Sequence, residues 1–183
     1  MDQTRRKLMI AAAVAAFGKA AGALGEEPGK MLFRTAAPET ILAAAKALIV
    51  SDYIGTFITV DASGQPRARS ILVSKPDEEM MLWMGTRKGS RKLEQIVANP
   101  RSTLHFAEDA KTSYASLMGE AHAVYDAEVV ARKNPYSGKM LESFFPKFPN
   151  DFVLIGFKPS YLEIMTDKLA GKPETWQPQG LQI

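Results

Sequence analysis

The sequence predicts an α+β domain built around a small antiparallel barrel. Short apolar runs of strand length recur along the chain, and only a few segments show helical spacing between them. Turn signals with glycine or proline, at residues 61–64 and 75–79, separate the first three runs. A length of 183 residues, with 46% hydrophobic and 23% charged residues, suits one domain with a sizeable core. Many short strands with a few covering helices favour a barrel.

The first predicted elements are a helix and three strands. Pro38 opens an alanine-rich helix that runs to about Val50, because proline is well tolerated in the first helical turn. Strands are expected over residues 53–60, 65–74 and 80–84.

The later elements are shorter. A helix from Ser90 ends at Asn99, because Pro100 disfavours helical geometry in the residue before it. The others are strands over residues 102–107 and 114–125, a helix over 126–132, a short helix over 139–145, and strands over 152–157 and 161–166. Gly119 inside a strand indicates a bulge or a close backbone approach. The tail from Lys168 shows little periodicity.

The loop over residues 85–92 carries the most chemical information. It joins a strand to a helix and contains two glycines and four cations. The first N–H groups of a helix lack internal partners, and the helix dipole adds partial positive charge there. Ser90, Arg91 and Lys92 at that end therefore favour a phosphate group. A solvated basic helix start is the alternative interpretation of the same residues.

Composition excludes several classes of site. Cysteine is absent, which excludes disulfides, thiolate metal sites and a cysteine nucleophile. The two histidines, His105 and His122, both fall in predicted strands, so a histidine-rich metal centre is not expected. Residues 1–25 hold a net charge of +3, which equals the formal net charge of the whole chain. The remainder is close to neutral, which argues against nucleic-acid binding.

Residues 1–25 are predicted to be a targeting peptide. The stretch 4–9 resembles a twin-arginine export motif, and the apolar run after it is too short for stable membrane insertion. Ala21-Gly22-Ala23 is a plausible cleavage site. The leader predicts a periplasmic or exported location. Twin-arginine export carries folded proteins, which suits a protein whose cofactor is inserted in the cytoplasm. The alternative is a frayed amphipathic helix on a cytoplasmic protein.

The second predicted strand places two arginines on one face. Arg67 and Arg69 are two residues apart, and side chains alternate across a strand. An arginine that faces the loop would add a bidentate phosphate donor. A pair of exposed arginines on an edge strand is the alternative.

Four stretches of the sequence together form a recognisable pattern: Gln65-Pro66-x-x-Arg69-x-x-Leu72-Val73, Leu82-Trp83-Met84-Gly85-Thr86-x-x-Gly89-Ser90-Arg91-Lys92, Ile96-x-x-Asn99-Pro100-Arg101-x-x-Leu104-x-Phe106, and Gly119-x-Ala121 with Asp126. In these motifs the chain resembles the pyridoxamine-phosphate-oxidase-like family of FMN-binding split barrels, and it looks closer to the general-stress-protein branch than to the true oxidase. The resemblance implies a six-stranded antiparallel split β-barrel of Greek-key topology with flanking helices. The domain would cover residues 36–167, and residues 168–183 would form a C-terminal tail.

The resemblance also implies a cofactor and a set of contacts. FMN would lie at the interface of a homodimer. Its phosphate would meet Arg69, Ser90, Arg91 and Lys92. Its ring and ribityl chain would run along Ser70, Ile71, Leu72, Val73 and Ser74 and touch Gly85 and Thr86. Tyr114 falls where the oxidase has a flavin-contacting glutamine.

Departures from the oxidase argue against pyridoxamine phosphate as the substrate. Ser74 stands where the oxidase has a substrate-contacting lysine, and Lys75 is one residue out of register, which places it on the other sheet face. No histidine follows His122, so the late Arg-x-His motif is missing, and Met165 replaces a tryptophan found in many relatives.

The sequence therefore predicts an FMN-dependent oxidoreductase that acts on an unidentified small molecule. The protein would bind and orient the flavin, and the flavin would carry the electron chemistry. A non-enzymatic flavin-binding protein that stores, buffers or senses redox state is the main alternative. A third alternative is the same barrel with the deazaflavin F420 or haem as its ligand. A fourth is a barrel that binds protein or nucleic acid.

Overall fold

The computed structural model describes residues 33–108 and 112–183. The predicted leader, residues 1–25, lies outside these residues. The described chain forms the following helices and strands: α1 (Pro38–Asp52), β1 (Ile54–Val60), β2 (Pro66–Leu72), β3 (Leu82–Arg87), α2 (Arg91–Ala98), β4 (Arg101–Ala107), β5 (Tyr114–Val124), α3 (Ala127–Lys133), α4 (Gly138–Phe144), β6 (Phe152–Met165) and β7 (Gln179–Gln182). No helix within the described ranges is long and apolar enough to cross a membrane.

All strands belong to one antiparallel sheet. The order along the sheet is β2-β1-β4-β5-β6-β3, and β7 pairs with the second half of β6. The two ends of this path approach each other at a single bridge, Val73–Met84. Beyond that bridge, β2 and β3 are not paired in the described chain, so the sheet is open between them.

The predicted α+β class is confirmed, and two details of the prediction change. The described sheet has seven strands rather than six, and a closed six-stranded barrel is not observed. The predicted tail contributes the seventh strand: β7 lies within residues 168–183 and pairs with β6 over Tyr161–Ile164. Four residues are too short for a periodic pattern, and their strand geometry depends on the partner strand.

The two strands predicted over residues 152–157 and 161–166 form one long strand, β6. Pro159 lies inside it, opposite Gly119 of β5, where the register of the two strands shifts. Proline cannot donate to a sheet ladder, but a bulge tolerates it. The predicted irregularity at Gly119 is confirmed, because a Cβ there would collide with the backbone of Lys158.

The core lies inside the curved sheet. Phe57, Leu104, Leu117, Phe157 and Leu162 are all fully buried within it. The buried face of α1 closes one side with Ile41, Ala45 and Ile49. A second apolar cluster of Tyr136, Phe145, Phe152 and Leu154 packs the segment after α3 onto β3 and β6. This second cluster forms the outer wall of the site described next.

Candidate functional site

The loop between β3 and α2 presents hydroxyls and cations. Gly89 has a φ of +71°, which lets the chain turn sharply into the helix. Ser90 is the N-cap residue, but its side chain does not cap the helix. Its hydroxyl instead lies 2.7 Å from Oγ1 of Thr86, which also accepts a hydrogen bond of 3.1 Å from Nζ of Lys92. Thr86 therefore fixes both Ser90 and Lys92 at the start of α2.

The cations of the site repel one another. Burial lowers the pKa of Lys92, and the charges of Arg69 and Arg91 lower it further. Burial, followed by the charge of Arg91, lowers the pKa of Arg69. None of the three forms an ion pair within the described residues. Such a cluster has its positive charge available for an anion.

Arg69 is held in place by neutral groups. Its Nη1 donates to Oγ1 of Thr59 at 2.7 Å and to the carbonyl of Phe57 at 3.2 Å. Its Nη2 donates to Oε1 of Gln95 at 3.0 Å. Arg69 therefore ties β2 to β1 and to α2, beside Arg91 and Lys92.

A cavity of about 570 Å³ occupies the opening between β2 and β3. Ser70, Ile71 and Leu72 line its β2 side, and Gly85, Thr86, Ser90 and Lys92 line its β3 and α2 side. Because β2 lies at the edge of the sheet path, its outward backbone N–H and C=O groups have no strand partner over most of this opening. The volume is within the usual range for small-molecule sites, roughly 300–1,000 Å³.

An aromatic wall that the sequence did not predict closes the other side. Ile54, Tyr136, Met140, Phe144 and Phe145 line it. Tyr136 and Phe145 pack edge to face with ring centroids 5.0 Å apart. Gly85 is required behind this wall, because a Cβ there would collide with Phe152 and Tyr136. Burial raises the pKa of Tyr136, and a backbone hydrogen bond with Gly85 opposes that rise. The two helices in this segment are seven residues long and show little periodicity. The concentration of phenylalanines was therefore the one feature of the sequence that could have indicated the wall.

Val73 and Ser74 do not face this cavity. The backbone N–H of Val73 donates to the carbonyl of Tyr53, and that of Ser74 donates to the carbonyl of Trp83, both at 2.8 Å. These two N–H groups are therefore used by the fold. The two residues line an adjoining cavity of about 480 Å³, which shares Leu72 and Met140 with the first.

The adjoining cavity combines aromatic and basic groups. It is lined by Tyr53 and Trp83 and by the cations Lys75, Arg132 and Lys133, with Asp77 as its carboxylate. Nζ of Lys133 lies 3.2 Å from Asp77 and 5.4 Å from the centroid of the Trp83 ring. Nε1 of Trp83 is buried without a hydrogen-bond partner in the described chain.

Tyr114 lies away from both cavities. It begins β5, and its ring lies 5.6 Å from His105. Burial raises its pKa, and the charge of Glu163 adds to the rise. The structure therefore does not bring Tyr114 to the other predicted site residues.

The two histidines make local contacts. Nδ1 of His105 lies 2.8 Å from Oγ of Ser116, and Nε2 of His122 lies 3.2 Å from Glu120. Neither residue lines the first cavity. Within residues 33–108 and 112–183, His, Asp and Glu side chains form no cluster that could hold a metal ion.

Comparison with known proteins identifies the family. The sequence model of the pyridoxamine 5'-phosphate oxidase family matches residues 41–165, which is more than half of the chain. The chain belongs to this family. Its resemblance to the family, predicted from the sequence motifs, is therefore confirmed.

Relatives of this oxidase family show how far the similarity extends. A pyridoxine/pyridoxamine 5'-phosphate oxidase of Shewanella baltica is 40% identical over 72 residues, which cover 39% of this chain and 34% of that protein. The chain therefore matches about a third of the length of these curated relatives.

Solved structures share the fold. A Clostridium acetobutylicum protein related to general stress protein 26 has a TM-score of 0.67 at 18% identity, over 80% of this chain and 97% of that one. A haem-binding protein of Mycobacterium smegmatis has a TM-score of 0.59 at 13% identity, over 81% of this chain and 60% of that one. At these identities the likeness concerns the fold alone.

Proposed function

We propose that the protein binds FMN in the cavity between β2 and β3 and is an oxidoreductase that acts on a small molecule. The observation that carries this proposal is the cluster of Arg69, Arg91 and Lys92, which has no carboxylate partner in the described chain and reaches a largely apolar cavity through Lys92. A ligand with an anionic end and a flat apolar body matches both halves of the site.

The phosphate would lie at the start of α2. Arg91 and Lys92 supply charge, and Ser90 and Thr86 supply hydroxyls that already contact each other. The dipole of α2 adds to this charge, because its N-terminus points the same way. Each charge-assisted hydrogen bond there contributes about 1.5–3 kcal/mol.

The ring would lie in the opening of the sheet. Ile71, Leu72 and the aromatic wall offer apolar surface, and the free edge of β2 offers backbone donors and acceptors to ring heteroatoms. Bound flavin supplies the hydride- or electron-transfer chemistry. The protein's part is to bind the ring, orient it and exclude water from one of its faces.

The adjoining cavity is the proposed substrate site. It shares Leu72 and Met140 with the flavin cavity, so a molecule bound there would lie beside the ring. The cations outnumber the single carboxylate, and Tyr53 and Trp83 provide aromatic surface. A small anion with an apolar or aromatic body is the substrate class that fits these groups.

A homodimer is part of the proposal. Tyr114 would contact FMN only from a second subunit, because it lies outside both cavities of its own chain. Half-buried polar residues surround it on the outer face of β4, β5 and β6, where His105, Ser116 and Glu163 lie opposite one another. Mass measurement by light scattering tests this proposal, and a monomer that binds FMN fully would contradict it.

The first experiment is the visible absorption spectrum of the purified protein, with mass spectrometry of any ligand released by heat. A flavin spectrum and released FMN are expected. A released deazaflavin would favour F420, and a Soret band would favour haem. Haem is the weaker alternative, because neither His105 nor His122 lines the cavity. A colourless protein that takes up no FMN would contradict the proposal.

Turnover separates the enzyme from a flavin-storing or redox-buffering protein. The holoprotein is mixed with NADH or NADPH, and the flavin absorbance is followed during reduction and during reoxidation by candidate acceptors. Catalytic turnover is expected with at least one acceptor. A flavin that is reduced and reoxidised only in stoichiometric amounts would favour the non-enzymatic alternative.

Export through the twin-arginine pathway is also proposed. Its support is the sequence alone: the Arg5-Arg6 pair and the apolar run after it. Changing Arg5-Arg6 to Lys-Lys should retain the protein in the cytoplasm, as measured by cell fractionation. Undiminished export would contradict the twin-arginine route, and an unchanged protein found in the cytoplasm would favour the cytoplasmic alternative.

A further inference from the structure

We propose that Thr59 and Gln95 are positioning residues that hold Arg69 ready for the phosphate of the ligand. This inference rests on the proposed FMN site. Neither residue lines a cavity, and neither was among the predicted site residues. Their role follows from the contacts they make with each other and with Arg69.

The three side chains form a closed triangle of hydrogen bonds. Oγ1 of Thr59 donates to Oε1 of Gln95 at 2.6 Å, and Arg69 donates to both of these oxygens, at 2.7 and 3.0 Å. Thr59 is fully buried. A buried hydroxyl in a short, closed network has one arrangement available to it, so the triangle fixes the plane of the guanidinium.

The triangle leaves one edge of the guanidinium free. Nη1 has two hydrogens and donates to both Thr59 and the Phe57 carbonyl, and Nη2 donates to Gln95. Because the Thr59 and Gln95 oxygens are 2.6 Å apart, we infer that they meet the edge between Nη1 and Nη2. Nε–H and the second Nη2–H then remain on the adjacent edge, without a partner in the described chain. Two parallel N–H groups on one edge are the bidentate donor that phosphate oxygens accept.

The triangle also leaves the charge of Arg69 uncompensated. Its acceptors are a hydroxyl, an amide oxygen and a backbone carbonyl, and none carries a charge. A glutamate in place of Gln95 would make the same hydrogen bond and also form an ion pair with Arg69. The amide therefore orients the arginine without competing with the phosphate.

This difference gives a direct test. Dissociation constants for FMN and for riboflavin, which lacks the phosphate, are measured by fluorescence on the refilled apoprotein. Gln95→Glu is expected to weaken FMN binding about tenfold, because the new carboxylate competes with the phosphate for Arg69. This loss is about the strength of one hydrogen bond to a charged group, and riboflavin affinity should stay unchanged. The same variant should unfold at a higher temperature than wild type in the ligand-free state. A merely structural glutamine would not give opposite changes in stability and FMN affinity.

Thr59 is tested with a matched set. Thr59→Val keeps the shape and removes the hydroxyl, and it should weaken FMN binding about fivefold. Thr59→Ser keeps the hydroxyl and should restore the FMN-to-riboflavin ratio. Thr103→Val is the control, because Thr103 is half-buried in the same sheet and its side chain makes no hydrogen bond within the described residues. Adding Thr59→Val to Arg69→Met should cause no further loss.

The outcomes separate this inference from the proposed site. Wild-type protein that binds FMN no better than riboflavin would overturn the phosphate site and the positioning role with it. Wild-type preference for FMN that survives unchanged in Gln95→Glu would overturn the positioning role alone. Gln95→Glu decides the matter even if Thr59→Val does not fold.

Discussion

Two arginines of β2 differ in what the fold does with their charge. Arg67 lies next to the β1–β2 turn, where its Nε donates to Oδ2 of Asp61 at 2.8 Å. Arg69, two residues later, donates to the uncharged groups of Thr59, Gln95 and Phe57. Arg67 is half exposed and paired, whereas Arg69 is partly buried and unpaired in the described chain.

The chain therefore uses one arginine for stabilisation and leaves the other available for binding. The Asp61–Arg67 pair closes a turn, and Asp61 also accepts hydrogen bonds from Ser63 and Gln65. The charges of Asp61 and Arg67 are therefore paired with each other, and this turn has no free charge to offer a ligand. The region around Arg69 keeps repulsion among three cations, which costs stability in the absence of an anion. An anion that removes this repulsion would bind and stabilise at once.

The largest effect is expected when each arginine is removed separately. Arg69→Met should weaken FMN binding by about 3 kcal/mol, because two charge-assisted hydrogen bonds are lost. Arg67→Met, the matched control, should change FMN affinity by less than about 0.5 kcal/mol, as expected for an exposed ion pair at a turn. Equal losses in both variants would show that the two arginines do not have separate roles. Circular dichroism checks that both variants are folded.

The other two cations of the cluster should also contribute to FMN binding. Arg91→Ala or Lys92→Ala should each weaken FMN binding by about 1.5–3 kcal/mol, with the exposed Arg91 at the lower end. Titration of the apoprotein with FMN measures both, and riboflavin serves as the ligand without a phosphate. Unchanged FMN affinity in both variants would contradict the phosphate assignment.

The sequence indicated the cationic half of the candidate site better than its apolar half. Alternation along β2 put Arg67 and Arg69 on one face, and the glycines and cations of residues 85–92 marked the start of α2. It could not show that Arg67 is paired and Arg69 is not. That distinction depends on Thr59 and Gln95, which lie on two other elements.

The apolar half depends on contacts that local patterns do not contain. The N–H of Val73 is taken by Tyr53, which precedes β1, and the N–H of Ser74 is taken by Trp83 of β3, where the two ends of the sheet meet at one bridge. Met140 and Phe144 of the aromatic wall lie on a helix of seven residues, which is two turns and too short for a clear apolar period. β7 has four residues and acquires its strand geometry from β6.

A smaller effect is expected from pH in the ligand-free protein. The pKa of Lys92 is lower in the folded chain than in the unfolded one, so its charged form destabilises the fold. Lys92→Met should therefore melt at a higher temperature than wild type at pH 7. The difference in melting temperature between Lys92→Met and wild type should shrink as the pH rises through the folded pKa of Lys92 towards its ordinary value. Bound FMN should reverse the sign of this difference at pH 7. A difference that stays constant with pH would contradict the lowered pKa of Lys92.

The smallest expected effect is at the turn, and it has the opposite pH dependence. The Ser63 hydroxyl, and then Arg67, hold the pKa of Asp61 well below its ordinary value. A carboxyl with a lowered folded pKa stabilises the fold above its unfolded pKa, and this contribution is lost as the pH falls. Asp61→Asn should melt slightly below wild type at pH 7. The difference in melting temperature should shrink as the pH falls below the ordinary pKa of 3.8, and it should vanish once the pH falls through the lowered folded pKa. FMN affinity should not change. A loss of FMN affinity in Asp61→Asn would mean that the turn and the phosphate site are coupled through β2, and the separation between Arg67 and Arg69 would then fail.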